Sequence, residues 1–371
     1  MNRRALLRLA VASTFSFPLS ALIVHAQTDS EPSETPPRVS FPRGQEHPLW
    51  NVWTAWRNQY LDFSGRVVDG PQERASHSEG QGYGMMLAAE IGDDLAFQRM
   101  AEWTQNNLAI RSDKLLAWRW LPDRPERVPD RNNASDGDLF HAWALLRGGE
   151  IFAEPLYTER AILIARDIAR YCLVPRPDDV TRMLLSPAIN GFSTRSGHVF
   201  NPSYMMPMAL RELGEAADET SLIDAADSGI ELITELARTG PVPDWLEITP
   251  EGIQPATGFS FDSGYEALRV PLFLLWSGET DNQAIMEFVL AQRSAPIGSF
   301  ATVVSRDGND VIELSSDSGY NSIRVVSQCQ VEQLNFISVP PFDTRQAYYP
   351  ATLQLFSFLV LLTSMPSCRP I

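Results

Sequence analysis

Cysteine is scarce in this 371-residue chain, with only Cys172, Cys329 and Cys368, far apart in sequence. That excludes a scaffold built on disulfides and leaves room for one bridge in an oxidising compartment. Histidine is sparse too: five residues, scattered, with no HExxH and no CxxC pattern. Metal catalysis is therefore not expected. No GxSxG elbow occurs, which argues against an α/β-hydrolase. The run LQLFSFLVLL near the C-terminus is too short to span a bilayer and reads as a buried helix. Positive charge is outnumbered, 30 Lys and Arg against 46 Asp and Glu, giving a net charge of −16. Such a chain is a poor partner for nucleic acid or an anionic membrane and suits an uncharged ligand.

The first 26 residues, MNRRALLRLAVASTFSFPLSALIVHA, combine a basic start, an apolar stretch and a small-residue site ending at Ala26. They read as a secretory signal, so the product is expected in the periplasm or outside the cell. NRRALLR loosely resembles a twin-arginine signal, which leaves the export route open. Losing Arg3, Arg4 and Arg8 would take the net charge to about −19. Residues 27–47 are rich in Pro, Ser and Glu and read as a flexible leader. Nothing within 48–371 looks like a domain linker or an internal repeat, so this stretch is expected to be one folded domain.

Apolar residues in that domain follow helical rather than alternating periods. Helices are expected at 94–108, 136–149, 156–173, 204–216, 219–238, 264–277, 280–291 and 347–363, with another around Trp50–Tyr60 and one starting near Ser76 or Ser78. Short strands are expected at 300–305 and 322–327. The chain is thus all-α with minor strands, about ten to twelve helices between long loops. Such an alternation builds either a solenoid of hairpins or a closed toroid.

Three stretches carry candidate chemistry. In SHSEGQGYGMM, Glu79 stands beside Gly80, Gly82 and Gly84 with Tyr83 one turn on. Each glycine costs about 1 kcal/mol in a helix interior. They make room either for a ligand beside Glu79 or for a close helix–helix contact. In NNASDGDLFHAWALL, Asn133, Ser135 or Asp136 could cap a helix, and Asp138 suits its first turn. His141 in the same stretch reads as a core residue. Between these two lies KLLAWRW, whose Trp118 and Trp120 either fill a core or offer flat faces to a sugar ring. In FSFDSGYEALRVPLFLLW, Glu266 and Arg269 have the spacing of an ordinary ion pair, Asp262 is a third acid, and Pro271 kinks the helix or delays its start. Carboxylates beside aromatics suit glycosidic cleavage, which needs one protonated acid and one ionised carboxylate.

Six blocks in order, ASHSEGQGYGMM, DKLLAWRW, NNASDGDLFHAWAL, NPSYMMP, PVPDW and YEALRVPLFLLW, resemble glycoside hydrolase family 8, specifically the secreted endo-β-1,4-glucanases linked to bacterial cellulose synthesis. The resemblance covers about 48–363 and implies an (α/α)6 barrel with a cleft across one end. It implies inverting hydrolysis of a β-1,4-glucan without metal or organic cofactor, with the cellulose synthase complex as an expected partner. Carried over by position, Glu79 is the general acid and Asp136 holds the sugar at the cleavage point. Tyr83, Trp118, Tyr204 and Arg269 fall to substrate binding. The family motif YDA[IL]RVPL places its general base at the aspartate, where this chain has Glu266. Glu266 adds a methylene, which shifts its oxygens by about an ångström. The base is then Glu266 after compensation, or Asp262 in the preceding loop. A weakly active glucan-binding or assembly-editing protein is the alternative of another class. Xylan and chitosan are alternative substrates.

Overall fold

The computed structural model describes residues 41–370; the signal and most of the leader lie outside them. The end of the expected leader is folded. Gly44–Glu46 form a 3-10 turn and His47 is buried, so the ordered chain begins before position 48.

Eleven α-helices follow among the described residues: α1 Trp50–Tyr60, α2 Ser78–Ile91, α3 Asp94–Asn107, α4 Ser135–Ile151, α5 Pro155–Tyr171, α6 Pro207–Ala217, α7 Thr220–Ala237, α8 Arg269–Trp276, α9 Gln283–Gln292, α10 Ser318–Val331 and α11 Tyr348–Thr363. The odd-numbered helices from α1 to α9 keep one apolar face inward, as surface helices do. By contrast α2, α4, α8 and α11 are buried nearly all round. Packing runs from α2 to α4, α4 to α6, α6 to α8, α8 to α10 and α11, and α11 back to α2. The inner ring thus closes, and the toroid, an (α/α)6 barrel with an outer layer of amphipathic helices, is the fold. Strands are minor: two-stranded pairs and one three-stranded sheet of His198–Phe200, Leu246–Thr249 and Gly252–Gln254.

Local chemistry sets several boundaries. Asp93 accepts from Ala96 N at 3.1 Å and starts α3, while Gly92 ends α2 in the left-handed region at φ 90°. The expected helix at 264–277 begins only at Arg269. Pro271 has no N–H to give to residue 267, so it is tolerated only in a first turn. The expected strand 322–327 is instead the middle of α10. Its buried Ser322, Ile323, Val326 and Cys329 recur at helical spacing, which outweighs the β-branched run. Phe300–Val304 is a strand as expected. Neither Ser76 nor Ser78 caps α2. His77 holds the N-cap position in an extended conformation, and Ser78 Oγ has no partner. Likewise α4 starts after Ala134 with no side-chain cap.

The glycines around Glu79 serve packing rather than substrate. A Cβ on Gly82 would lie 2.9 Å from His141 N and 3.1 Å from the Phe140 carbonyl carbon, both on α4. A Cβ on Gly84 would meet Met100 Sδ at 2.8 Å, and one on Gly80 would meet Tyr348 Oη at 3.2 Å. From the other side, a Cβ on Gly137 would stand 2.1 Å from Ser78 Oγ and 2.6 Å from Glu79 N. The close helix–helix contact is therefore the right reading, and it is made at the turn that carries Glu79. Gly137→Ala is expected to cost about 1–3 kcal/mol of stability by overpacking. By pushing Glu79 off line it should also lower the rate on the order of a hundredfold. Thermal melts and glucan hydrolysis rates check both.

Candidate active site

All six inner helices start at the same end of the barrel, so their first turns converge. Glu79 comes from α2, Asp136 from α4, Asn201, Ser203 and Tyr204 from the 3-10 turn before α6, Arg269 from α8, Tyr320 from α10 and Tyr349 from α11. Two features fix the first turn of α2. Ser76–His77 pair antiparallel with Arg119–Trp120, and Ser78 N donates to Trp118 O at 3.0 Å. The fully buried Gln81 accepts from Val67 N at 2.6 Å and donates to Thr104 Oγ1 at 3.0 Å and Gly65 O at 3.1 Å.

At the centre lies the Arg269 guanidinium, whose side chain is 1 % exposed. Nη1 donates to Glu79 Oε2 at 2.5 Å, Tyr83 Oη at 2.9 Å and Asp136 Oδ2 at 3.3 Å. Nη2 donates to Ser203 Oγ at 2.7 Å and to Glu266 Oε2. The expected Glu266–Arg269 pair exists, but as one arm of a cluster holding three carboxylates on one cation. Asn201 Nδ2 and Ser203 Oγ also donate to Glu266 Oε2, at 3.1 Å and 3.4 Å, which leaves Oε1 for the cleft.

One positive charge cannot balance three ionised carboxylates in a buried site, so a proton stays. It sits on Glu79. Burial pushes its carboxyl up to about 8; Arg269 pulls down, while Asp136 and Glu266 push up. A helix N-terminus favours the ionised form, but burial and two neighbouring carboxylates outweigh it here. Neutral Glu79 hydrogen-bonds Asp136. Burial also raises Asp136, against the pull of Arg269. The arrangement therefore offers a proton donor on α2 and, across Arg269, a second carboxyl group before α8, the pair of groups that glycosidic cleavage needs.

Other expected residues fall in three places. Tyr83 is fully buried, edge-on to Phe140 and Phe356, and accepts from Arg269 Nη1, so it supports the guanidinium from below. Trp118 is half-buried, stacked on His77 at 6.0 Å, with its indole N–H on Asp130 at 2.9 Å. Trp120 turns away from it, edge-on to Trp103 in a satellite core. Tyr204 lies under Arg269 and against Trp245. Asp262 stays outside the cluster: its carbonyl accepts from Asp244 N at 2.8 Å, and its carboxylate bonds none of the site groups.

Several contributors were not singled out from the sequence. Asp244 Oδ1 accepts from Gly264 N and Ala267 N, both at 2.8 Å, and so shapes the turn that carries Glu266. Burial raises its carboxyl to about 6. Tyr349 donates to Tyr265 O at 2.7 Å and joins Tyr265, Tyr320, Glu79, Glu266 and Arg269 around a cleft cavity of about 330 Å³. On the opposite flank Phe192 stacks on Trp245 at 5.8 Å with planes 4° apart, and Phe259 packs on Trp245 at 4.7 Å. Asp244 and Trp245 stood in PVPDW and Asn201 and Ser203 in NPSYMMP; tyrosines at the start of a helix were the available signal for Tyr349.

Comparison with known proteins agrees with this geometry. A probable endoglucanase of Novacetimonas hansenii is 36 % identical over 230 residues, covering 61 % of this chain and 66 % of its own length, just under two thirds. An endoglucanase of Salmonella typhi is 33 % identical over 265 residues, 70 % of this chain and 69 % of that one. The solved endo-beta-1,4-glucanase CMCax from Acetobacter xylinum is similar with a TM-score of 0.75 at 30 % identity, over 84 % of this chain and 96 % of that chain. The model of glycosyl hydrolases family 8 matches residues 43–362, a span that takes in every member of the Arg269 cluster. The chain belongs to glycosyl hydrolases family 8.

Proposed function

We propose that this glycoside hydrolase is an exported endo-β-1,4-glucanase that cuts cellulose or soluble β-1,4-glucan with inversion, in the service of bacterial cellulose production. The observation that carries it is the cluster itself: a buried arginine holding a protonated Glu79 and the Glu266 carboxyl group on opposite arms, on the floor of an aromatic-walled cleft. Glu79 gives its proton to the glycosidic oxygen as the C1–O bond breaks. Water attacks C1 from the other face and yields its proton to Glu266 Oε1, while Asp136 beside Glu79 is placed to hold the sugar at the break. Tyr265, Tyr349, Trp118 and the Trp245 group offer faces for ring stacking along the chain. The names of the relatives, a probable endoglucanase and an endo-beta-1,4-glucanase, support the β-1,4-glucan. A disulfide between Cys329 and Cys368 supports export to an oxidising compartment, periplasmic or extracellular, while Cys172 is free and buried.

The test is viscosity loss and reducing-end release on carboxymethyl cellulose, with xylan and chitosan as comparators and NMR of the first anomer released. Rapid viscosity loss and an initial α-anomer support the reading. An initial β-anomer contradicts inversion, and binding without cleavage would favour an assembly-editing role.

Two further results are expected. Glu79 must be protonated to act, so kcat/KM should fall as pH rises past about 8, where it ionises. Glu266→Ala should lower kcat by about 10²–10⁴-fold, because the proton acceptor is gone. Asp262→Ala should stay within a few-fold, since its carboxylate bonds none of the site groups. The reverse outcome would move the base into the loop.

A further inference from the structure

A second cavity, of about 480 Å³, opens on the flank of the barrel and shares no residue with the cleft. It lies between the end of α3, the 109–116 loop, α4 and α5. Its lining is cationic in a protein of net charge −16. Arg111 is matched there by Asp113, at 2.8 Å and 2.7 Å. Arg160 and Lys114, the single lysine of the whole sequence, have no ion-pair partner among the described residues. Arg160 is half-buried, forms no ion pair among the described residues, and donates from Nη2 to Gln105 Oε1 at 2.6 Å. Only the Lys114 amide, not its ammonium, is tied to Asp167, at 2.7 Å.

His141 lines the same cavity. It is fully buried and both its ring nitrogens lack a partner. Burial, then the positive charge of Arg160, lowers it to about 3, so the ring is neutral and keeps one donor and one acceptor unmet. Core packing, the reading from sequence, leaves those two atoms unexplained. Buried polar atoms without partners and partly desolvated cations without counterions are each costly; His141 and Arg160 are these cases, while Lys114 is exposed at the mouth. One ligand repairs both deficits.

We propose that this cavity binds a small sugar acid, its carboxylate on Arg160 and Lys114 and a hydroxyl on His141. The space exceeds what a lone oxyanion fills and falls in the range of small-molecule sites. Leu116, Leu163 and Ile164 give it an apolar wall for the C–H face of a pyranose. The acidity of the protein as a whole repels polyanions, which favours a singly charged ligand over a polyuronate.

The lone lysine makes the test direct. Lys114 is modified with an amine-reactive reagent and followed by mass spectrometry, with D-glucuronate, D-glucose or inorganic phosphate present. For a site with a dissociation constant of about 1 mM, about 10 mM D-glucuronate should slow modification about tenfold, and glucose should not. Arg160→Gln should abolish the protection and His141→Phe should weaken it, with melts confirming that each variant folds. Calorimetric titration with D-glucuronate reads the same binding should Lys114 reach out past the ligand. Phosphate protecting as well as glucuronate would overturn the sugar acid in favour of a bare oxyanion site. No protection and no heat with glucuronate would overturn the site altogether.

Discussion

Glu79→Gln is expected to lower glucan hydrolysis by about 10³-fold, within the 10²–10⁴ typical of a lost general acid. Glutamine keeps the volume and a hydrogen bond to Asp136, so the fold and glucan binding should survive. The same change should raise stability at alkaline pH. The folded protein holds a proton on Glu79 up to about pH 8, whereas the unfolded chain releases it near the ordinary 4.5. Between those values the native state binds more protons, so stability falls as pH rises. Glutamine removes that slope. A variant that melts higher than wild type at pH 8, yet is nearly inactive, is the expected signature of a site that trades stability for chemistry. Parallel melts at acidic and alkaline pH, with rates on carboxymethyl cellulose, check it.

Arg269→Met is expected to cost about 3–5 kcal/mol near neutral pH, because removing one partner of a buried charge network strands the others. Three carboxyl groups lose their shared cation at once, and burial and neighbouring acids then push Glu79 and Asp136 further up. The deficit should shrink as pH falls and they protonate, so the melting temperatures of mutant and wild type should converge toward acid. Hydrolysis should be lost throughout, since Arg269 holds Glu79 and Glu266 in register. Arg269→Lys keeps the charge but cannot serve both arms of the cluster, so it should recover part of the stability and little of the rate.

Much of this was legible in the sequence, for reasons that differ by residue. Helical periods located most of the ring because its helices either bury one face or are apolar throughout. The start of α8 was ambiguous from Pro271 alone, and only the turn at Gly264–Leu268 resolves it. SIRVVS misled because a short β-branched run looks alike in strand and helix until its neighbours are packed. Glu79, Asp136, Glu266 and Arg269 could each be picked out, since each is a charged residue near the start of an apolar helix. Their sharing of one guanidinium could not, because Arg269 reaches Asp136 and Glu79 across 133 and 190 residues. The glycines beside Glu79 show the same limit: a bare helix surface announces a close approach but not what approaches. Here it is α4, and the contact fixes the acid. Asp244 stood within PVPDW, but its role could not be read there for a related reason, because its partners are the backbone amides of a turn.

The convergence of six helix N-termini also explains how one end of the barrel tolerates so much acid. Each N-terminus carries partial positive charge, which favours carboxylates in the first turn. Arg269 adds a full charge, and the retained proton takes up the remainder. A cluster so balanced responds to small changes, which is why a methyl group on Gly137 is expected to matter as much as a change in the cleft.

The protonation of Glu79 in the resting enzyme is the centre of this account, and infrared difference spectra measure it directly. Wild type minus Glu79→Gln should show a neutral carboxyl C=O band at pH 6 that disappears with an apparent midpoint near 8, belonging to the coupled cluster as a whole. A band already lost near pH 4.5 would mean that Arg269 keeps Glu79 ionised, and its role as the acid would be contradicted.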